Sequence, residues 1–286
     1  MAAVLPTPLI SAEALRARLG TDAWPVLLDC SFDLMDTAAG ERAWAMQHLP
    51  GAHCAHLDRD LSGPKTARGA LDGGRHPLPD RDTLAATLGR WGIGPDTPVV
   101  AYDAQGGPFA ARAWWLLRWM GHRAVAVLDG GLAAWQAAGG PLESAAPTTP
   151  VRPPYPASGP AMPTVNAQRL LQGAGDLVVV DARAGERFRG EVEPLDARAG
   201  HIPGARHRFF KDNLAPDGRF LPPEALRAAF GRHGVAPTQV VHQCGSGVTA
   251  CHNLLAMEAA GLHGAALYPG SWSEWSADPA RPVARG

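Results

Sequence analysis

The chain is expected to fold as two α/β domains, each a mostly parallel central sheet with helices on both faces. Three observations carry that expectation. Its 286 residues exceed the usual size of a single domain. Segments of the first half recur in the same order in the second. Within each half, short Val/Leu/Ala runs alternate with longer helix-compatible stretches, the pattern of strands buried between helices.

The recurring elements can be taken in chain order. Pro25 to Cys30 (PVLLDC) returns as Leu177 to Ala182 (LVVVDA), a short apolar run that reads as a buried strand. His48 to Ala52 (HLPGA) returns as His201 to Ala205 (HIPGA), a Pro-Gly turn in which both histidines read as structural. Leu84 to Ile93 returns as Leu226 to Val235, a segment that begins in a helix expected over Pro223 to Gly231. Val99 to Asp103 (VVAYD) returns as Val240 to Cys244 (VVHQC), the central strand of each half. Gly130 and Trp135 return as Gly270 and Trp275. The chain is a tandem duplication. Its halves are expected over 1–140 and 164–286, joined across 141–163 by a linker with eight prolines, which should run extended over the surface.

Composition narrows the function. A net charge of -1, with 46% apolar and 19% charged residues, supplies a core but no basic stripe for nucleic acid or a membrane surface. No uncharged apolar run is long enough to span a bilayer, and Ala113 to Met120 is interrupted by Arg118. The N-terminal residues lack the basic stretch and apolar run of a secretory signal. Four cysteines without a C-x-x-C pair fit a reducing compartment, so a cytoplasmic location is expected. Trp114, Trp115 and Trp119 should pack against the first sheet, and Cys30, Cys54 and Cys251 read as small buried hydrophobes.

Cys244 reads differently. It ends the second central strand and opens the turn Cys244-Gly245-Ser246-Gly247-Val248-Thr249, before a helix expected over Thr249 to Ala260. In open parallel sheets, ligands bind beyond the carboxyl ends of the strands. Two glycines let successive N–H groups curl around the sulfur, and the helix presents its positive end to the same point. Both favour the thiolate, which is the nucleophile, and the same donors would hold a persulfide or an anionic substrate. A phosphate-binding loop would need a lysine that is absent. A cysteine phosphatase would need an arginine six positions after the cysteine, where Ala250 stands.

The loop from Cys244 to Ala250 is similar to the active-site loop of mercaptopyruvate sulfurtransferases. With the paired His-x-Pro-Gly-Ala segments and the closing Gly270-Ser271-Trp272-Ser273-Glu274-Trp275, nearly the whole chain resembles tandem rhodanese sulfurtransferases. The resemblance implies two rhodanese-like domains and a double displacement. A small anionic donor, 3-mercaptopyruvate or alternatively thiosulfate, gives sulfur to Cys244, and a thiol or cyanide acceptor, with a thioredoxin-like protein among the candidates, removes it. It implies no metal or organic cofactor. It also implies that Arg187 binds the donor's anionic group, that Gly245, Gly247, Val248 and Thr249 frame the substrate, and that Ser246, His76 and Asp58 move the proton. Asp103 stands where Cys244 stands in the other half, so the first domain is expected to be non-catalytic, and its carboxylate to repel an anionic donor. A second arginine is often found after the Glu-Pro pair in the mercaptopyruvate type. Here Glu193-Pro194 is followed by Leu195, leaving Arg189 or Arg198 as replacements. A persulfide carrier that is not itself catalytic is the reading from another class.

Overall fold

The computed structural model describes residue 5, residues 8–172 and residues 175–286. The chain divides into two compact units that do not follow the sequence halves. The first comprises residues up to Leu61 with Pro79–Ala161 and Pro216–Phe220. The second comprises Ser62–Leu78, Met162–Ala215 and Leu221–Gly286. A segment from the first half of the sequence, Ser62–Leu78, thus belongs to the unit that carries Cys244.

The first unit is a five-stranded parallel sheet of β1 (Leu9–Ile10), β2 (Val26–Asp29), β3 (His53–Cys54), β4 (Val99–Tyr102) and β5 (Val125–Leu128), in the order β1-β5-β4-β2-β3. Its helices are α1 (Ala12–Arg16), α2 (Ala39–Met46), α3 (Arg81–Arg90), α4 (Pro108–Trp119) and α5 (Gly131–Ala137). Strand β4 is wholly buried, as a central strand covered on both faces must be. Helix α4 lies against β4 and β5 with Trp114 and Trp115 buried in it. The proline-rich stretch does not run free. Arg152 and Tyr155 donate their backbone N–H groups to the Gly89 and Ala85 carbonyls at 2.9 Å each, and Tyr155 is buried. Proline removes donors from such a segment, but its other residues still have N–H groups to satisfy, and here α3 accepts two of them.

The second unit has four parallel strands, β6 (Val178–Asp181), β7 (Arg206–His207), β8 (Val240–Gln243) and β9 (Ala266–Leu267), in the order β7-β6-β8-β9. Its helices are α6 (Ala167–Leu171), α7 (Gly185–Arg189), α8 (Pro223–Gly231), α9 (Thr249–Ala259) and α10 (Ser271–Ala277). Side chains alternate along β8. Val241 packs with Leu170, Trp272 and Trp275 from α6 and α10. His242 turns the other way, edge-on to Phe230 of α8 and with Nε2 3.0 Å from Met257 Sδ of α9. The sheet is therefore covered on both faces, and the chain leaves its central strand at Cys244. The two histidines of the Pro-Gly turns are buried structural groups: Nδ1 of His48 meets the Trp44 carbonyl at 2.7 Å, and that of His201 the Phe188 carbonyl at 2.8 Å. No helix among the described residues is long and apolar enough to cross a membrane.

Candidate active site

Cys244 is a free thiol, 2% exposed, at the carboxyl end of β8. The first turn of α10 pins the loop that follows. The Cys244 N–H donates to Ser271 Oγ at 3.1 Å, the Cys244 carbonyl accepts from the Trp272 N–H at 2.9 Å, and the Gly245 carbonyl accepts from the Ser273 N–H at 2.8 Å. Ser271 is the one described non-glycine residue with positive φ, at 52°. That conformation is unfavourable for a side chain, and here Ser271 Oγ also donates to the Tyr268 carbonyl at 2.9 Å. Gly247 adopts φ 74°, and a Cβ there would come within 2.3 Å of the Pro269 carbonyl oxygen, so only glycine fits. Val248 is the residue before α9 and Thr249 its first. Cys251 is fully buried, with its Sγ donating to the Gly247 carbonyl at 3.3 Å, which makes it a support of the loop.

Ser246 and His76 are brought together. Ser246 Oγ and His76 Nδ1 lie 2.7 Å apart, and both residues are buried. His76 reaches this point because Ser62–Leu78 belongs to the second unit. The Arg75 N–H donates to Ser273 Oγ at 2.9 Å, which ties the turn before His76 to α10. Asp58 belongs to the first unit, half-buried, with its N–H donating to His56 Nδ1 at 3.2 Å. Its assignment to the proton path rests on the resemblance alone.

Arg187, on α7, donates through Nη2 to Glu193 Oε1 at 2.5 Å and to Asp196 Oδ2 at 3.0 Å. Arg183 donates to Glu193 at 3.2 Å and pairs with buried Asp181 at 2.7 Å. Arg75 pairs with the other oxygen of Asp196 at 2.5 Å. Burial pushes the Asp196 carboxyl above its ordinary value, the Arg75 charge lowers it, the neighbouring Glu193 raises it, and Arg187 lowers it. A Cβ on Gly245 would lie 3.2 Å from Arg75 Nη2 and 3.4 Å from Arg187 Nη1, so both guanidinium groups converge on the residue after Cys244. Sequence reasoning passed over Arg75, whose only signal was its place beside His76. The proposed substitutes for the missing arginine do not reach this place. Arg189 pairs with exposed Glu191 at 2.7 Å. Arg198 donates to the carbonyls of Trp275, Ser276, Asp278 and Arg281, capping the end of α10.

The matching loop of the first unit corrects one expectation. Asp103 does not present its carboxylate to a ligand; it is fully buried and fills its own loop. Oδ1 accepts from the N–H groups of Gln105 and Gly107 at 2.9 and 2.8 Å, and Oδ2 from Phe109 and Ala110 at 3.0 Å each. Burial pushes this carboxyl up and the four donors pull it back. A turn of this sequence pattern is thus a cradle for an anion, and Asp103 is a built-in one. The Pro108 position, which lacks an N–H, is not needed for it. Two thiols of the first unit are held in the neutral form: burial, then the charge of Asp103, pushes Cys30 well up, and burial, then the charge of Glu41, pushes Cys54 up to about 12. Among the described residues, no three His, Cys, Asp or Glu side chains are grouped to hold a metal ion.

A parallel sheet with a buried cysteine on a glycine turn, repeated with an aspartate in the cysteine's place, defines a class. The model of the rhodanese-like domain matches residues 11–138 and 164–278, so the chain belongs to that family, as a tandem-domain sulfurtransferase. It is 50% identical over 284 residues to a probable 3-mercaptopyruvate sulfurtransferase of Pseudomonas aeruginosa, covering 97% of this chain and 98% of that one. It is 43% identical over 290 residues to a putative thiosulfate sulfurtransferase of Mycobacterium tuberculosis, covering 97% of each. Among solved structures, the 3-mercaptopyruvate sulfurtransferase of Leishmania major superposes with a TM-score of 0.81 at 30% identity, over 94% of this chain and 74% of that one.

Proposed function

We propose that the enzyme takes the thiol sulfur of 3-mercaptopyruvate as the outer, sulfane sulfur of a persulfide on Cys244 and passes it to a thiol or cyanide acceptor. The Cys244 thiolate attacks the donor sulfur, and the carbon–sulfur bond breaks with its electron pair passing to carbon. The leaving group is the enolate of pyruvate, which takes a proton to become the keto acid. An acceptor thiolate or cyanide then attacks the outer sulfur of the persulfide, and the Cys244 thiolate is released.

The observation that favours this donor is the Ser246–His76 hydrogen bond of 2.7 Å in the loop of the nucleophile. An enolate must be protonated to leave, and a hydroxyl backed by imidazole can pass that proton from the donor thiol. Sulfite, the product from thiosulfate, leaves as a stable anion and needs no such relay. The loop from Cys244 to Thr249 also carries no charged side chain of its own to meet a small dianion. Four free cysteines fit a reducing, cytoplasmic setting. The test is kcat/KM for both donors with cyanide as the common acceptor. We expect 3-mercaptopyruvate to be preferred, and the preference to be lost in Ser246→Ala because only that donor's step is slowed. Equal or better efficiency with thiosulfate in the unaltered enzyme would reverse the donor assignment.

A further inference from the structure

The aspartates Asp29 and Asp181 end the same strand in the two repeats, but they meet different surroundings. Asp181 is fully buried and accepts from the Arg183 guanidinium, from Nε at 3.1 Å to each oxygen and from Nη2 at 2.7 Å to Oδ2. Nη2 also donates to the Gly200 carbonyl at 2.7 Å, and the guanidinium lies over the Trp272 ring, 4.7 Å from its centre. The first repeat matches this place bond for bond. The Ser31 N–H donates to Asp29 Oδ1 at 3.0 Å, as the Arg183 N–H does to Asp181 Oδ1 at 2.9 Å. The Leu132 N–H donates to the Asp103 carbonyl at 3.0 Å, as the Trp272 N–H does to the Cys244 carbonyl at 2.9 Å. Gln47, before His48, holds the place of Gly200, before His201.

Two smaller side chains, Ser31 and Leu132, thus stand where the second repeat has an arginine and the indole that covers it. A cavity of about 250 Å³ opens there, with Asp29, Ser31, Gln47, Gln105 and Leu132 in its lining. Asp29 is 4% exposed. Burial pushes its carboxyl above the ordinary value, and hydrogen bonds from Ser31 and Tyr102 lower it. A buried carboxylate without a cation is costly, and none of the described residues lining this cavity is Lys, Arg or His. Asp33, exposed, adds a second negative charge, while Phe32, Ala43 and Met46 supply an apolar wall.

We propose that this cavity of the first unit is a binding site for an alkylguanidinium group, seated on Asp29 where the second repeat seats its own Arg183. The planar guanidinium is weakly hydrated and presents forked N–H donors that match the two oxygens of a carboxylate, so it suits a buried site better than an ammonium does. Its aliphatic stem lies along the apolar wall. A free alkylguanidine and an arginine side chain of another polypeptide share this chemistry. All the residues of the site belong to the first unit, whereas Cys244 belongs to the second.

The test titrates the isotopically labelled full chain with n-butylguanidinium and with n-butylurea, a neutral group of nearly the same shape, and follows the backbone amides by NMR. We expect saturable shifts at Ser31, Gln47 and Gln105 with butylguanidinium. Butylurea should bind about ten- to a hundredfold more weakly, the worth of hydrogen bonds to a charged group. Asp29→Asn should lose affinity for butylguanidinium by the same factor. Ser31→Arg restores the arrangement of the second repeat, so it should fill the site, abolish binding and raise Tm, with sulfur transfer at Cys244 unchanged. The peptide acetyl-Gly-Arg-Gly-amide separates the two sources. Binding as tight as that of butylguanidinium supports a site for a polypeptide side chain, and exclusion of the peptide supports one for a free alkylguanidine. No saturable shift, equal binding of the charged and neutral probes, shifts that map away from the three amides, or wild-type affinity in Ser31→Arg would overturn the proposal. Should Asp29→Asn fail to fold, the two probes on the wild type and the Ser31→Arg protein decide it.

Discussion

Cys244 has three thiol neighbours in composition but none in circumstance. Cys30 and Cys251 are fully buried, and Cys54, half-exposed, is held as a thiol by burial and by the charge of Glu41. Only Cys244 lies on a turn between a strand end and a helix start, with two guanidinium groups at the next residue. Serine in its place is nearly isosteric but far less nucleophilic, and it cannot form a persulfide. Cys244→Ser should therefore fold with unchanged near-ultraviolet circular dichroism and lose transfer from every donor. Intact-protein mass spectrometry after donor treatment should find one added sulfur on the wild type and none on the variant. Transfer retained by Cys244→Ser would end the assignment of this residue as the carrier.

At the scale of elements, α10 organises the site more than its length suggests. Its first turn receives Cys244 and Gly245 on one side and the Gly73–His76 turn on the other. Gly74 adopts φ 84°, and a Cβ on it would come within 2.3 Å of the Gly270 carbonyl and 2.7 Å of Ser273 Oγ. Gly74→Ala should thus lift this turn from α10 and take Arg75 and His76 with it. We expect a loss of about 1–3 kcal/mol in unfolding free energy together with a large fall in kcat/KM for 3-mercaptopyruvate. Urea denaturation and donor kinetics on the same preparation check both. A fully active Gly74→Ala enzyme would mean that the turn does not position the site.

The whole molecule is a duplication in which one loop carries a free cysteine and the other is filled by its own aspartate. Aligned from Asp29 and Asp181, Met35 stands where Arg187 stands; aligned from Asp103 and Cys244, Gln105 stands in place of Ser246. The first unit thus retains an anion cradle without counterparts of Arg187 and Ser246. Asp103→Cys should remove a carboxylate that satisfies four N–H groups and destabilise the protein by about 3 kcal/mol or more, since buried donors left unpaired are costly. It should not acquire sulfur. In an Asp103→Cys, Cys244→Ser protein treated with 3-mercaptopyruvate, peptide mass mapping is expected to show no persulfide at residue 103. Efficient modification there would show that the cradle alone suffices for sulfur uptake.

Sequence alone determined the duplication, the strands at Val178–Asp181 and Val240–Gln243, the helices at Pro223–Gly231 and Thr249–Ala259, and the special place of Cys244. These are local: a short buried strand, a glycine turn and a helix start are written in consecutive residues, and an internal repeat shows each twice. The pairing of Ser246 with His76 was reached only through the family resemblance, because the two are 170 positions apart. Only the tertiary structure decided that Ser62–Leu78 belongs to the second unit, that Arg75 stands beside Arg187, and that Asp103 is consumed by its own loop. Each depends on which buried charge finds which partner. No short-range pattern encodes that choice, since it is made by burial, which makes an unpaired charge too costly to leave.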